Sequence, residues 1–277
     1  MDYLFLPLLF IEDIIQGWAA DIYDAAIGLD ALKPILETVS FTKGGVDYSI
    51  YWGVINNAIA VIKPFGYALV TTFFLMNLLD NAAKDNITMD SIIKVLMQLV
   101  LTIAVIGNLD LIINAFLSIG ESIINLIRIK VTANSTTTAV DGATIVEHSL
   151  ENEQGYIAIL LEGFLIWIVH YVAVIGCVFA CLSRALDVGW RIILAPIGVS
   201  NCFEGGISSS GIKYLKSLFA SILSSGAIYI IVIVGFGLAG SLLGDGTDSK
   251  TLVSCGALLA TAGAAIGANS KAKEVIS

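Results

Sequence analysis

Apolar residues run along this chain in stretches of bilayer-crossing length, separated by short polar pieces. A membrane-spanning helix needs about 20 predominantly apolar residues. Residues 157–182 meet this with one carboxylate, Glu162, and one histidine, His170, and residues 217–243 meet it with no charge. Three further spans are expected: 54–79, interrupted by Lys63-Pro64; 95–119, containing Asp110; and 252–268, short and rich in alanine and glycine. Ahead of them, Ile15, Trp18, Ile22, Ala26, Leu29 and Leu32 recur at helical spacing, with Asp21, Asp24 and Asp30 on other faces. That pattern predicts an amphipathic helix ended by Lys33-Pro34. The expected fold class is an all-α polytopic membrane protein with about five transmembrane helices, an N-terminal amphipathic helix and an interfacial helix-turn segment.

Composition strengthens the membrane reading. Hydrophobic residues make up 57% and charged residues 13%, against roughly 25% charged in soluble domains. Cytoplasmic loops of membrane proteins are enriched in Lys and Arg, which allows the orientation to be tested. With the N-terminus outside, pieces 80–94, 183–216 and 269–277 are cytoplasmic. They carry Lys84, Lys94, Arg184, Arg191, Lys213, Lys216, Lys271 and Lys273, eight of the fourteen basic residues. Pieces 1–53, 120–156 and 244–251 carry fifteen of the twenty-three acids. The chain is therefore expected to run N-out and C-in, with an extracytoplasmic region over 1–50, a transmembrane domain over 51–277, an external loop over 120–156 and a cytoplasmic segment over 183–216. No basic n-region or cleavage site precedes Glu12-Asp13, so no cleavable signal peptide is expected. The N-terminal helix lacks basic residues and is poorly suited to an anionic inner leaflet. An outer-surface or partner-bound position and simple packing on the first span remain equal alternatives.

Candidate chemistry is sparse. Cys177, Cys181, Cys202 and Cys255 lack the paired short spacing of a zinc site and read as small core residues. Gly235-Phe-Gly237-Leu-Ala-Gly240 fits a dinucleotide string but lies inside an uncharged span rather than at a strand-to-helix turn. Neither His148 nor His170 sits in a metal or triad setting. No catalytic, cofactor-binding or metal site is expected, and the chain is not expected to be an enzyme. Residues 131–155 read as a polar surface loop, with a weak glycosylation match at Asn134-Ser135-Thr136.

Packing and polar signals are stronger. Gly256, Ala260, Gly263 and Gly267 form one small-residue face, and Ser217, Ser221 and Ser225 form another. Such faces let helices approach closely where lipid offers no hydrophobic drive, within one subunit or between subunits. Asp110, Asn114 and Ser118 step along one side of the second span, while Lys94, Gln98 and Thr102 step along another about half a turn away. A bend at Gly107-Asn108, or a helix wetted on different sides at its two ends, would reconcile them. Lys63 and Glu162 are candidates to pair.

Between the two strongest spans, Trp190-Arg191-Ile-Ile-Leu-Ala-Pro196-Ile leads to Gly205-Gly206 and then to Lys213-Tyr-Leu-Lys216. In this order, with a five-span layout over roughly residues 50–270, the chain resembles the TrbL-like family. These are the polytopic inner-membrane subunits of VirB-type secretion machines, and the relatives carried by Gram-positive conjugative elements are the most similar. The resemblance implies a channel or scaffold subunit of a type IV secretion (conjugative DNA transfer) machine in a bacterial cytoplasmic membrane. It implies a homo-oligomeric ring, five copies being one candidate number, beside other membrane subunits and ATPases of the machine. Relaxase-bound single-stranded DNA would be the transient substrate. Arg184, Arg191, Lys213 and Lys216, repeated around a ring, would make a basic cytoplasmic collar attractive to a nucleic-acid backbone, with positive-inside anchoring as the simpler role. Trp190, Pro196, Gly205 and Gly206 are expected to form a structural turn. A non-conducting scaffold and an unrelated small-solute or ion transporter are the alternatives.

Overall fold

The computed structural model describes residues 6–27, 49–83, 88–134, 142–151, 155–202, 209–243 and 250–276. Among them the chain is all helical: α1 Leu6–Ile27, α2 Ser49–Ala83, α3 Met89–Gly107, α4 Leu109–Asn134, α5 Gly142–Glu151, α6 Tyr156–Gly198, α7 Ser210–Leu243 and α8 Lys250–Ile276. Six of these, α2, α3, α4, α6, α7 and α8, are long and apolar enough to cross a membrane. The protein is an all-α polytopic membrane protein. At 43 residues, α6 is about 65 Å long at 1.5 Å per residue, twice the roughly 30 Å of a hydrocarbon core.

The helices group into two compact units. One comprises Met1–Val46, Ile124–Leu182 and Gly226–Ala268; the other comprises Asp47–Ile123, Ser183–Ser225 and Asn269–Ser277. In the first, Ala173, Cys177 and Cys181 of α6 pack with Ile228, Val232 and Phe236 of α7 and with Leu258, Ala262 and Ala265 of α8. Close approach there rests on Gly176, where an added Cβ would meet the Ala262 methyl at 3.0 Å, and on Gly235, which faces the Thr261 side chain. Gly235 therefore serves close contact between α7 and α8. A second cluster joins Ala19 and Tyr23 of α1 to Ile145 and Val146 of α5. Asp24 accepts a hydrogen bond from the Gly142 backbone N–H at 2.7 Å, supplying an acceptor to the N-terminus of α5.

Two expectations change in this unit. The anchor of α1 is the Ala19-Tyr23 row, while Trp18 is 63% exposed. Of the predicted stripe, Ile15 and Ile22 are half-buried, and Ile22 lies with Tyr23 against Gly163, whereas Trp18 falls outside the packed face. The expected external loop 120–156 is shorter than predicted: α4 continues to Asn134 and α5 occupies Gly142–Glu151. Residues 28–48, including Lys33-Pro34, and 135–141 lie outside the described residues.

In the second unit α2 runs through Pro64 without ending. The second span breaks at Asn108, whose φ of −101° and ψ of 18° separate α3 from α4. The Asn108 N–H still donates to Ala104 O at 3.0 Å, and its carbonyl accepts from Ile112 N at 3.2 Å. Contacts show that the chain continues in one direction across this break. Val95, Gln98 and Thr102 lie beside Val70, Phe74 and Asn77 of α2. Lys63, lower on α2, reaches the Gly107 carbonyl and Asp110, both at 3.3 Å. Further along α4, Phe116 meets Phe219 and Gly120 meets Ile222 of α7. Two helices therefore make one bent rod antiparallel to α2. The bend also lets the two polar stripes take different surroundings: Thr102 is buried beside the α2 contact, whereas Asp110 is exposed. Lys63 pairs with Asp110 rather than Glu162, and Glu162 instead accepts from the Thr251 hydroxyl at 3.4 Å.

Candidate functional site

The densest polar arrangement lies between the C-terminal half of α6 and the first half of α7, in the unit holding Ser183–Ser225. Helix makes up most of the segment 183–216, in which a helix-turn was expected. α6 continues to Gly198 and α7 begins at Ser210, and residues 203–208 between them lie outside the described residues. Trp190 accordingly lies within α6, 63% exposed, and is no part of a turn. Pro196 lies in the last turn of α6, where its ring and carbonyl press against Gly66 of α2. Gly205 and Gly206 fall outside the described residues.

Spacing explains how the site assembles. Arg184, Asp187 and Arg191 at i, i+3 and i+7 share a face of α6, and Ser217, Ser221 and Ser225 at i, i+4 and i+8 share a face of α7. Arg191 Nε donates to both Asp187 carboxylate oxygens at 3.1 and 3.0 Å, and its Nη1 donates to Ser217 Oγ at 2.8 Å. Ser221 Oγ donates to Asp187 Oδ2 at 3.1 Å. Arg184 is 3% exposed. Its Nε donates to the Ser221 carbonyl at 3.2 Å and its Nη2 to the Ile222 carbonyl at 3.0 Å. The same two carbonyls accept from Ser224 Oγ and Ser225 Oγ, each at 2.7 Å. The Tyr214 hydroxyl donates to the Arg191 carbonyl.

The facing ends of α6 and α7 are held in the same manner. Ser209 Oγ donates to the Cys202 carbonyl and accepts from Ile212 N, capping α7. Gly198 leaves room for the Tyr214 ring, and Gly211 for the Cys202 backbone. Burial pushes the Cys202 thiol above its ordinary value, which keeps it protonated and weakly nucleophilic.

Of the four residues expected in a basic collar, only Lys213 and Lys216 are exposed. Arg184 is enclosed against α7 and Arg191 is tied to Asp187, so neither presents a free cation at a surface. Burying a guanidinium unpartnered would cost several kcal/mol, and the Ser-rich face of α7 supplies the acceptors. Asp187 was not singled out in the sequence. Its signal is its position three residues after one arginine and four before another.

No known family, curated protein or solved structure matches the chain.

The two small-residue faces have opposite fates. Ser221 and Ser225 are buried in the hairpin and Ser217 is half-buried. On α8, Gly256, Ala260 and Gly263 are exposed, and added Cβ atoms at Gly256, Gly263 and Gly267 would meet nothing within 4 Å. Within the chain α8 packs through its other side, with Ser254 Oγ donating to the Ala239 carbonyl at 2.8 Å. His170 is 1% exposed and packs edge-on to Phe236 and Tyr171, and its ring nitrogens have no hydrogen-bond partner among the described residues. Among the described residues no three His, Cys, Asp or Glu side chains converge as a metal site would require. The hairpin's chemistry is electrostatic and structural: two guanidinium groups and one carboxylate lock two helices together.

Proposed function

We propose that this protein is a membrane channel or scaffold subunit of a type IV secretion (conjugative DNA transfer) machine, set N-out and C-in in a bacterial cytoplasmic membrane. One observation carries the reading. The residues behind the TrbL-like resemblance are structurally joined: Arg191 bonds Ser217 and, through its carbonyl, Tyr214, while Pro196 packs on Gly66. Taking α3 and α4 as one traverse retains an odd number of crossings, on which the proposed orientation depends. The open Gly256, Ala260, Gly263 and Gly267 face suits close approach by another copy, and so supports a homo-oligomeric ring. In that ring Lys213 and Lys216 form the basic rim, reduced from four residues to two.

The test is gene deletion in the host, with conjugative transfer as the readout. Transfer should collapse and return with the wild-type gene; transfer at the normal frequency after deletion would sink the proposal. Lys213→Glu with Lys216→Glu should reduce transfer while leaving membrane abundance and oligomer cross-links normal. Unchanged transfer would remove the basic rim from the proposal. Cross-linking of transferring DNA to the chain separates conduit from scaffold, since a scaffold in an active machine gives no such adduct.

A further inference from the structure

Helix α4 has three sectors within the unit that contains its first half. Leu109, Ile113 and Gly120 are buried, while Ala115 and Ile119 form an exposed apolar sector. Asp110, Asn114 and Ser118 form a third sector that is exposed and polar. At 3.6 residues per turn these last three fall within an arc of about 80°. The ion pair to Lys63 joins this row to α2, where Asp110 is 63% and Lys63 24% exposed in their side chains. Asn56, also exposed, lies two turns before Lys63 and about 20° from it around α2. A polar seam thus runs along two helices that are each apolar enough to cross a membrane.

Hydrocarbon cannot solvate such a row, and polar groups at membrane depth face protein or water. The Lys63 and Asp110 charges already offset one another, so no charged partner is needed. The remaining groups are amides and a hydroxyl, which water satisfies without specific geometry. We infer that the seam of Asp110, Asn114 and Ser118 with Lys63 and Asn56 is a wetted wall, which each copy contributes to a water-filled conduit in the assembled protein. This rests on the oligomeric channel reading above and names the surface that lines it.

Cysteine accessibility in the native membrane tests the assignment. The four natural cysteines are buried and set a low background. Asn114→Cys and Ser118→Cys are compared with Ala115→Cys and Ile119→Cys in the full-length chain, using a charged, membrane-impermeant maleimide. The polar-sector variants should label at least about tenfold faster, because only a hydrated thiol ionises to the reactive thiolate. Equal protection of all four overturns the wetted wall, and so does equal rapid labelling, which would take the helix out of the bilayer. If α4 variants fail to accumulate, Asn56→Cys against Val54→Cys on α2 gives the same contrast. Transfer that survives gene deletion would refute the secretion role without altering labelling. Failed labelling alongside transfer that depends on the gene would refute only the seam.

Discussion

Substitution of Gly66 by alanine tests the approach of α2 to the end of α6. A methyl there would sit 2.7 Å from the Pro196 carbonyl oxygen, 2.9 Å from its Cβ and 3.0 Å from its carbonyl carbon. Carbon contacts settle near 3.5–4.0 Å, so the overlap is several tenths of an ångström or more against each atom. The atoms met are main chain and a proline ring, which cannot swing aside. Overpacking of this kind costs about 1–3 kcal/mol, while replacing a helical glycine by alanine returns about 0.5–1 kcal/mol. The expected net loss is about 1 kcal/mol, reaching about 2 kcal/mol if neither helix yields. Gly53, on the same helix, has nothing within 4 Å of an added Cβ. Gly53→Ala therefore isolates the propensity gain and should be neutral or slightly stabilising. The two variants should differ by about 2 kcal/mol in reversible denaturation of the detergent-solubilised protein, followed by tryptophan fluorescence. Equal stability of the two would refute the close packing of α2 on Pro196.

Three other outcomes follow from named contacts. Asp187→Ala removes the carboxylate shared by Arg191 and Ser221, and should cost about 1–3 kcal/mol, less than a fully buried pair because both side chains are about a quarter exposed; the double variant Asp187→Ala with Arg191→Met should recover part of that loss, and no recovery would mean the pair is uncoupled. Burial, then the charge of Glu162 and then Cys255, pushes the Tyr23 phenol up to about 12. Since an unfolded tyrosine titrates near 10, the folded state resists ionisation and stability should fall as pH rises from about 10 towards 12; Tyr23→Phe should flatten that alkaline slope, and an unchanged slope would remove Tyr23 as its source. Asp24→Ala leaves the Gly142 N–H without its acceptor and should cost about 1 kcal/mol, read as faster amide exchange in α5 with little change in α8.

Membrane character, helical class and the positions of the main apolar stretches were legible in the chain because they depend on local composition alone, whereas the run of α6 to Gly198 and the division of the second span were not. The helical periodicity also marked Asp110, Asn114 and Ser118 as one row, and the half-turn offset from Gln98 and Thr102 pointed to Asn108 as a place for the helix to bend. Periodicity shows that residues share a face, but not what that face meets. Gly256, Ala260 and Gly263 and the Ser217 to Ser225 row have the same small-residue pattern; one is open and the other is buried against α6. Lys63 was expected to pair with Glu162, and its partner could be assigned only from three dimensions, where Asp110 lies within 3.3 Å. The conversion of Arg184 and Arg191 from an expected surface collar into an interhelical lock has the same cause. A long cationic side chain takes its role from the acceptors placed around its guanidinium, and here Ser217, Ser221 and Ile222, 26 to 38 residues away on α7, join Asp187 of α6 in supplying them.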